Sequence, residues 1–127
     1  MTRKILIVDD SRLARMSVAR ALGTLRPDWT RIEAANAEEA LALAARERPD
    51  IALLDFNMPG RDGLALAAEL RALAPKMPLA VISANIQDEI AARAREVDAA
   101  FLPKPLTEQA LGDFLSRIQP SPEAAAR

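Results

Sequence analysis

The chain has 127 residues, 50% of them hydrophobic but only 3% aromatic, and a formal net charge of −1 from 17 basic and 18 acidic side chains. It contains neither cysteine nor histidine, which excludes disulfides, thiolate or imidazole metal sites, cysteine nucleophiles and Ser-His-Asp chemistry. The balanced charge gives no drive toward DNA or an anionic membrane, and the first apolar run is too short for a signal peptide or a membrane span, so a soluble cytoplasmic domain with an aliphatic core is expected.

In chain order, the first predicted strand covers 4–8, and its Ile5-Leu6-Ile7-Val8 run is followed directly by Asp9 and Asp10. A helix is expected over 11–25. At about 100° per residue, Ala14, Val18, Ala21, Leu22 and Leu25 share roughly one third of its circumference, as a core stripe does. Leu13 and Met16 point the opposite way, among Arg12, Arg15 and Arg20. Simple exposure and a docking patch that begins beside the two aspartates are equally good accounts of that face. A second strand is expected over 31–34. Asn36, ahead of Ala37-Glu38-Glu39, has the form of an N-cap with acids in the first turn of a helix over 37–47.

A third strand over 51–54 runs into Asp55, and a helix over 63–73 follows. A fourth strand over 79–83 ends at Ser83, ahead of a helix over 87–97. The last strand, 100–102, is followed by Pro103 and Lys104. Thr107 then caps a helix over 107–118, although a full capping box would place an acid at position 110, which is alanine. Pro27, Pro49, Pro75 and Pro78 fall between elements. The segment 120–127 lacks a core pattern and is expected to fray, giving one domain over 1–118 and a tail over 119–127.

Five βα units predict a parallel sheet covered by helices on both faces, with right-handed crossovers. Ligands of such sheets bind beyond the carboxyl ends of the strands, so Asp9, Asp10, Asp55, Ser83 and Lys104 are expected to converge. Clustered carboxylates repel one another unless a cation neutralises them. Oxygen ligands without His or Cys favour Mg²⁺ or Mn²⁺ over zinc. A carboxylate in that setting can act as a nucleophile and become an aspartyl phosphate, with the metal and Lys104 neutralising the phosphoryl group and Ser83 bonding one of its oxygens. Singly, each residue has an ordinary explanation: an N-cap pair, a loop acid, a satisfied hydroxyl, a surface lysine. Their common place at strand ends points to phosphoryl transfer.

Four motifs carry a family resemblance: Ile-Leu-Ile-Val-Asp-Asp-Ser (5–11), Leu-Leu-Asp-Phe-Asn-Met-Pro-Gly-Arg-Asp-Gly (53–63), Val-Ile-Ser-Ala (81–84) and Phe-Leu-Pro-Lys-Pro (101–105). In this order and spacing they resemble the receiver domains of two-component response regulators, of the kind that includes the chemotaxis regulator. The resemblance implies a flavodoxin-like α/β fold: a five-stranded parallel sheet in the order 2-1-3-4-5, with Asp9 and Asp10 beside Asp55. It implies Asp55 as phosphoacceptor, Asp10 helped by Asp9 as Mg²⁺ ligands together with Asp55 and the Asn57 backbone carbonyl, and Lys104 as phosphate-binding lysine. Ser83 takes the place of the commoner switch threonine. Phe101 matches the aromatic switch position without the hydroxyl of tyrosine, and a cis Lys104–Pro105 bond is expected. Asn57 and Asn85 resemble positions that tune phosphate hydrolysis. The turn 97–100 departs from the pattern in having no glycine, where Asp98 is the residue that best tolerates a left-handed backbone.

The function so implied is a phosphorelay switch, not an enzyme. Its phosphoryl donor is a histidine kinase or a histidine phosphotransfer protein, necessarily another chain. With no DNA-reading helix pair after residue 118, the expectation is a single-domain regulator that binds an effector protein, contacts neither nucleic acid nor membrane, and is a monomer or weak dimer. Phosphorylated Asp55 would draw in Ser83, turn Phe101 inward and reshape the face of the fourth helix, fifth strand and fifth helix. Leu13 and Met16 are the candidates for donor docking. A phosphate sink or relay without its own effector, and the receiver part of a hybrid kinase, are the alternatives within the family. A metal-dependent phosphatase would want an aspartate where Asn57 stands. A nucleotide-binding module would want a glycine-rich phosphate loop, absent among the four glycines.

Overall fold

The computed structural model describes residues 3–58, 62–84 and 88–118; Asn85 and the expected tail lie outside them. Ten elements alternate: β1 (Lys4–Val8), α1 (Arg12–Leu25), β2 (Thr30–Ala34), α2 (Ala37–Glu47), β3 (Ile51–Asp55), α3 (Gly63–Leu73), β4 (Leu79–Ser83), α4 (Asp88–Glu96), β5 (Ala100–Pro103) and α5 (Glu108–Arg117). All strand pairs are parallel, in the order β2-β1-β3-β4-β5. The α/β fold and the strand order are those expected.

Side chains of a strand alternate between the faces of the sheet, and the two faces bury separate cores. Leu6, Val8, Ala52, Leu54, Leu79 and Val81 meet Ala40 and Ala44 of α2, Leu66 and Leu70 of α3 and Ile90 of α4. Ile5, Ile7, Ile51, Leu53, Ala80 and Ile82 meet Leu22 of α1 and Leu111, Phe114 and Leu115 of α5. β3 and β4 are buried along their whole length, because each has a strand on both sides and helices on both faces. β2, on the edge, carries exposed Thr30, Arg31 and Glu33.

Helix starts are set by side-chain caps. Ser11, Asn36, Asp62 and Thr107 accept from the backbone N–H three residues on, at 3.2, 2.8, 2.7 and 3.0 Å. Each such cap is worth about 1 kcal/mol. Ser11 is therefore the cap of α1 and not its first residue, and Thr107 caps α5 as expected. Asp98 is left-handed, with φ 54°, as the missing glycine required, and Arg48, the C-cap of α2 ahead of Pro49, is left-handed at φ 49°. Arg71 ties the turn at Asp98 to the end of α3: its guanidinium donates to the carbonyls of Val97, Asp98, Ala74, Pro75 and Met77. These bonds hold in place a backbone that costs a non-glycine residue about 1–2 kcal/mol.

Candidate functional site

Pairing Val8 with Leu54 puts the first residue after β1, Asp9, beside the last residue of β3, Asp55. β4 ends one step further across the sheet, at Ser83, whose carbonyl accepts from the Lys104 backbone N–H at 3.0 Å. The carboxyl end of the sheet thus gathers residues from four chain segments. Carboxylate oxygens of Asp9, Asp10 and Asp55 lie within 4.8 Å of one another. Asp55 is 3% exposed, Asp9 7% and Ser83 0%, whereas Asp10 is exposed.

Lys104 reaches into the cluster. Its Nζ lies 2.7 Å from Asp55 Oδ1 and 3.9 Å from Asp9 Oδ2. The short contact is an ion pair but not an aligned hydrogen bond, since Asp55 Oδ1 is a buried oxygen without a hydrogen-bond partner. Such an atom is costly to leave unpaired. The Lys104–Pro105 bond is cis, as expected. Phe101 is half-buried against the core beneath α4. Asn57, two residues after Asp55, is exposed.

Three carboxylates and one ammonium leave a formal charge of −2 (3 − 1) in a cluster where two acids are almost fully buried. A divalent cation matches that charge, the donor set is all oxygen, and Asp55 Oδ1 offers an unused lone pair. These residues therefore fit Mg²⁺ or Mn²⁺. Burial chiefly raises the Asp9 carboxyl above its usual range; the Asp55 and Asp10 charges add to this, while the Ser11 N–H and Lys104 oppose it.

A pH dependence follows for the metal-free protein. Because the folded state disfavours ionised Asp9, that charge costs stability above the raised pKa, and the cost vanishes once Asp9 is protonated in both the folded and the unfolded state. Asp9→Asn keeps the acceptor for the Ser11 N–H. In EDTA it is expected to melt above the wild type at pH 7, with the gap closing as the pH falls toward 4 in parallel thermal melts. A gap that widens on acidification would contradict the assignment.

The candidate docking residues Leu13 and Met16 are 75% and 50% exposed. Beside them, a cleft of about 240 Å³ is lined by Ala14, Val18, Ile82 and Leu106, with Asp9 and Lys104 at its polar end. Arg15 departs from expectation. Grouped by sequence with the outward-facing arginines, it lies at the edge of the core stripe, about 20° from Leu22 at about 100° per residue; its side chain is only 15% exposed and folds back to the Asp9 carbonyl, 2.6 Å from Nη1. No motif marks it, but its place on the helical wheel, at the edge of the core stripe, could have pointed to it.

The family model for the response regulator receiver domain matches residues 5–116. Among curated proteins, the positive alginate biosynthesis regulatory protein of Pseudomonas aeruginosa is 44% identical over 117 residues, which is 89% of this chain and 46% of that protein. Response regulator MprA of Mycobacterium leprae is 38% identical over 120 residues, 91% of this chain and 49% of that protein. The chain thus spans about half the length of the curated relatives it matches. Among solved structures, the chemotaxis protein CheY4 of Vibrio cholerae superposes with a TM-score of 0.85 at 28% identity, over 94% of this chain and 100% of that one.

Proposed function

The chain belongs to the response regulator receiver domains of two-component systems, and we propose that Asp55 is its phosphoacceptor. The observation that supports this most is the buried Asp55 carboxylate, with one oxygen lacking a hydrogen bond, held among two further carboxylates and a lysine. The donor is a phosphohistidine on a histidine kinase or histidine phosphotransfer protein. An Asp55 oxygen attacks phosphorus; the O–P bond forms as the P–N bond breaks, and the imidazole leaves with the electron pair. Mg²⁺ held by Asp9, Asp10, Asp55 and the Asn57 carbonyl would, when bound, offset the charge on the phosphoryl oxygens.

Lys104 exchanges its contact with Asp55 for one with a phosphoryl oxygen, and the Ser83 hydroxyl bonds a second. Ser83 ends β4 and Phe101 lies in the neighbouring β5, so a shift of one makes room for the other, and the change reaches the face formed by α4, β5 and α5. The phosphoryl group moves this equilibrium only as far as it prefers one state. The protein acts as a switch and not as a catalyst of turnover, because the group it receives stays on its own side chain. Its output is protein binding. None of the described helices is long and apolar enough to cross a membrane.

Donor docking is assigned to the exposed Leu13 and Met16 on α1, next to the apolar cleft that ends at Lys104. The double variant Leu13→Lys/Met16→Lys is expected to slow phosphotransfer from a cognate protein donor by at least tenfold, an order of magnitude typical of losing one buried apolar anchor. Labelling by acetyl phosphate should be unchanged, because that donor needs no docking face. Equal transfer rates from the protein donor would remove these residues from the interface, and loss of both activities would mean that the variant damages the site itself.

A further inference from the structure

Asp9 is held through both its backbone and its side chain. Its N–H donates to the Ala34 carbonyl at the end of β2, at 3.1 Å. Its Oδ1 accepts from the Ser11 N–H at 2.9 Å. Its carbonyl accepts from Arg15 Nη1 at 2.6 Å. The same guanidinium is braced from the other side, where Nε pairs with Glu33 Oε1 of β2 at 3.1 Å. Two of the anchors of this loop, Ala34 and Glu33, therefore come from the edge strand.

The carbonyl that Arg15 grips belongs to the peptide bond between Asp9 and Asp10. Fixing that peptide plane fixes the direction in which both side chains leave the backbone. Asp10 is exposed, and its carboxylate makes no hydrogen bond among the described residues, so little else sets its position. A planar guanidinium can hold the carbonyl and Glu33 at once; an ammonium on a flexible stem cannot reproduce that fork.

We propose that Arg15, braced by Glu33, is a positioning residue for the divalent-cation site: it orients the Asp9–Asp10 peptide so that both carboxylates meet Asp55, and thereby sets the affinity for Mg²⁺. The proposal rests on the reading of the acidic cluster as the cation site. Two effects of Arg15 have opposite sign, which makes the proposal testable. As a positive charge near the cluster, Arg15 repels a cation, so removing it would tighten binding. As an orienting group it helps binding, so removing it would weaken it. Hydrogen-bond partners that orient metal ligands typically change metal affinity by about 10–100-fold, and here orientation is the larger effect.

The test is calorimetric titration of the phosphate-free full chain with MgCl₂, for the wild type, Arg15→Met, Arg15→Lys and Glu33→Gln. The expected result is an Mg²⁺ Kd weakened about tenfold in Arg15→Met. Arg15→Lys should be weakened nearly as much despite keeping the charge, and Glu33→Gln, which keeps an acceptor, should change least. Melting curves in EDTA establish that each variant is folded at the titration temperature. Should Arg15→Met be unfolded there, Arg15→Lys alone decides. An unchanged or tighter Kd in Arg15→Met, or full recovery in Arg15→Lys, overturns the positioning role. Absence of Mg²⁺ binding in the wild type overturns the cation site itself, and the proposal with it.

Discussion

Gly63→Ala is expected to be the most destabilising glycine-to-alanine change among the described residues, by about 3 kcal/mol, at the top of the usual range for overpacking. Gly63 opens α3, and its N–H donates to the Phe56 carbonyl at 2.9 Å. A Cβ at this position would overlap the Asp55 carbonyl oxygen and stand 2.9 Å from both the Asp55 carbonyl carbon and Phe56 Cα. All three are backbone atoms, so no rotamer change relieves the clash. Either α3 must move away from the sheet or the exit of β3 must bend, and that exit carries Asp55. The variant should therefore unfold at a lower urea midpoint and also take up phosphate poorly.

Gly112→Ala is the matched control. Its added Cβ would meet the two Leu25 methyls, Cδ2 at 3.6 Å and Cδ1 at 3.9 Å, both ordinary contacts, and replacing a helix glycine by alanine gains up to about 1 kcal/mol. Urea unfolding of both variants checks the contrast. A Gly63→Ala protein within about 1 kcal/mol of the wild type, with normal phosphate uptake, would show that the close approach of α3 to Asp55 is not structurally required.

The elements were legible in the residues because burial on a parallel sheet leaves short continuous apolar runs, as in Ile5–Val8 and Leu79–Ile82, bounded by polar or proline punctuation. Boundaries moved by a residue where the strand takes in the residue flanking its apolar run: Thr30 opens β2, Asp55 ends β3 and Pro103 ends β5. Strand order was not contained in the periodicity. It came from the family resemblance, and with it the neighbourhood of Asp9 and Asp55. Asp98 was legible through the resemblance, since the family often has a glycine in this turn and, of the residues here, Asp98 best tolerates a left-handed backbone. Arg48 was not, because helices that end in this conformation usually place glycine or asparagine there.

Arg15 shows a limit of a different kind. Helix periodicity puts it at the edge of the core stripe, about 20° from Leu22, but does not say whether a long arginine buries its length there. Whether it does so depends on an acceptor outside the helix, here a carbonyl and a carboxylate supplied by two strands. The role of Gly63 is hidden for a similar reason: a glycine at a helix start is common, and only the tertiary approach to Asp55 makes it necessary. The curated relatives are also about twice as long as this chain, a fact that no residue within it signals.

Asp55→Asn is expected to lose phosphate uptake completely while keeping the fold. The amide is close to isosteric with the carboxylate at a position only 3% exposed, and it removes one charge from a cluster of three acids, so stability should not suffer. An amide is not a competent nucleophile toward phosphorus, whereas the carboxylate is. The buried Ser83 hydroxyl, at the end of the neighbouring strand, is the most plausible competing acceptor, so the variant discriminates between the two. The direct measurement is intact mass of the wild type and Asp55→Asn after incubation with acetyl phosphate, each in Mg²⁺ and in EDTA. Gain of one phosphoryl group by the wild type in Mg²⁺ only, and none by the variant, is the predicted result. A phosphoryl group on Asp55→Asn, or none on the wild type in Mg²⁺, would contradict Asp55 as the phosphoacceptor.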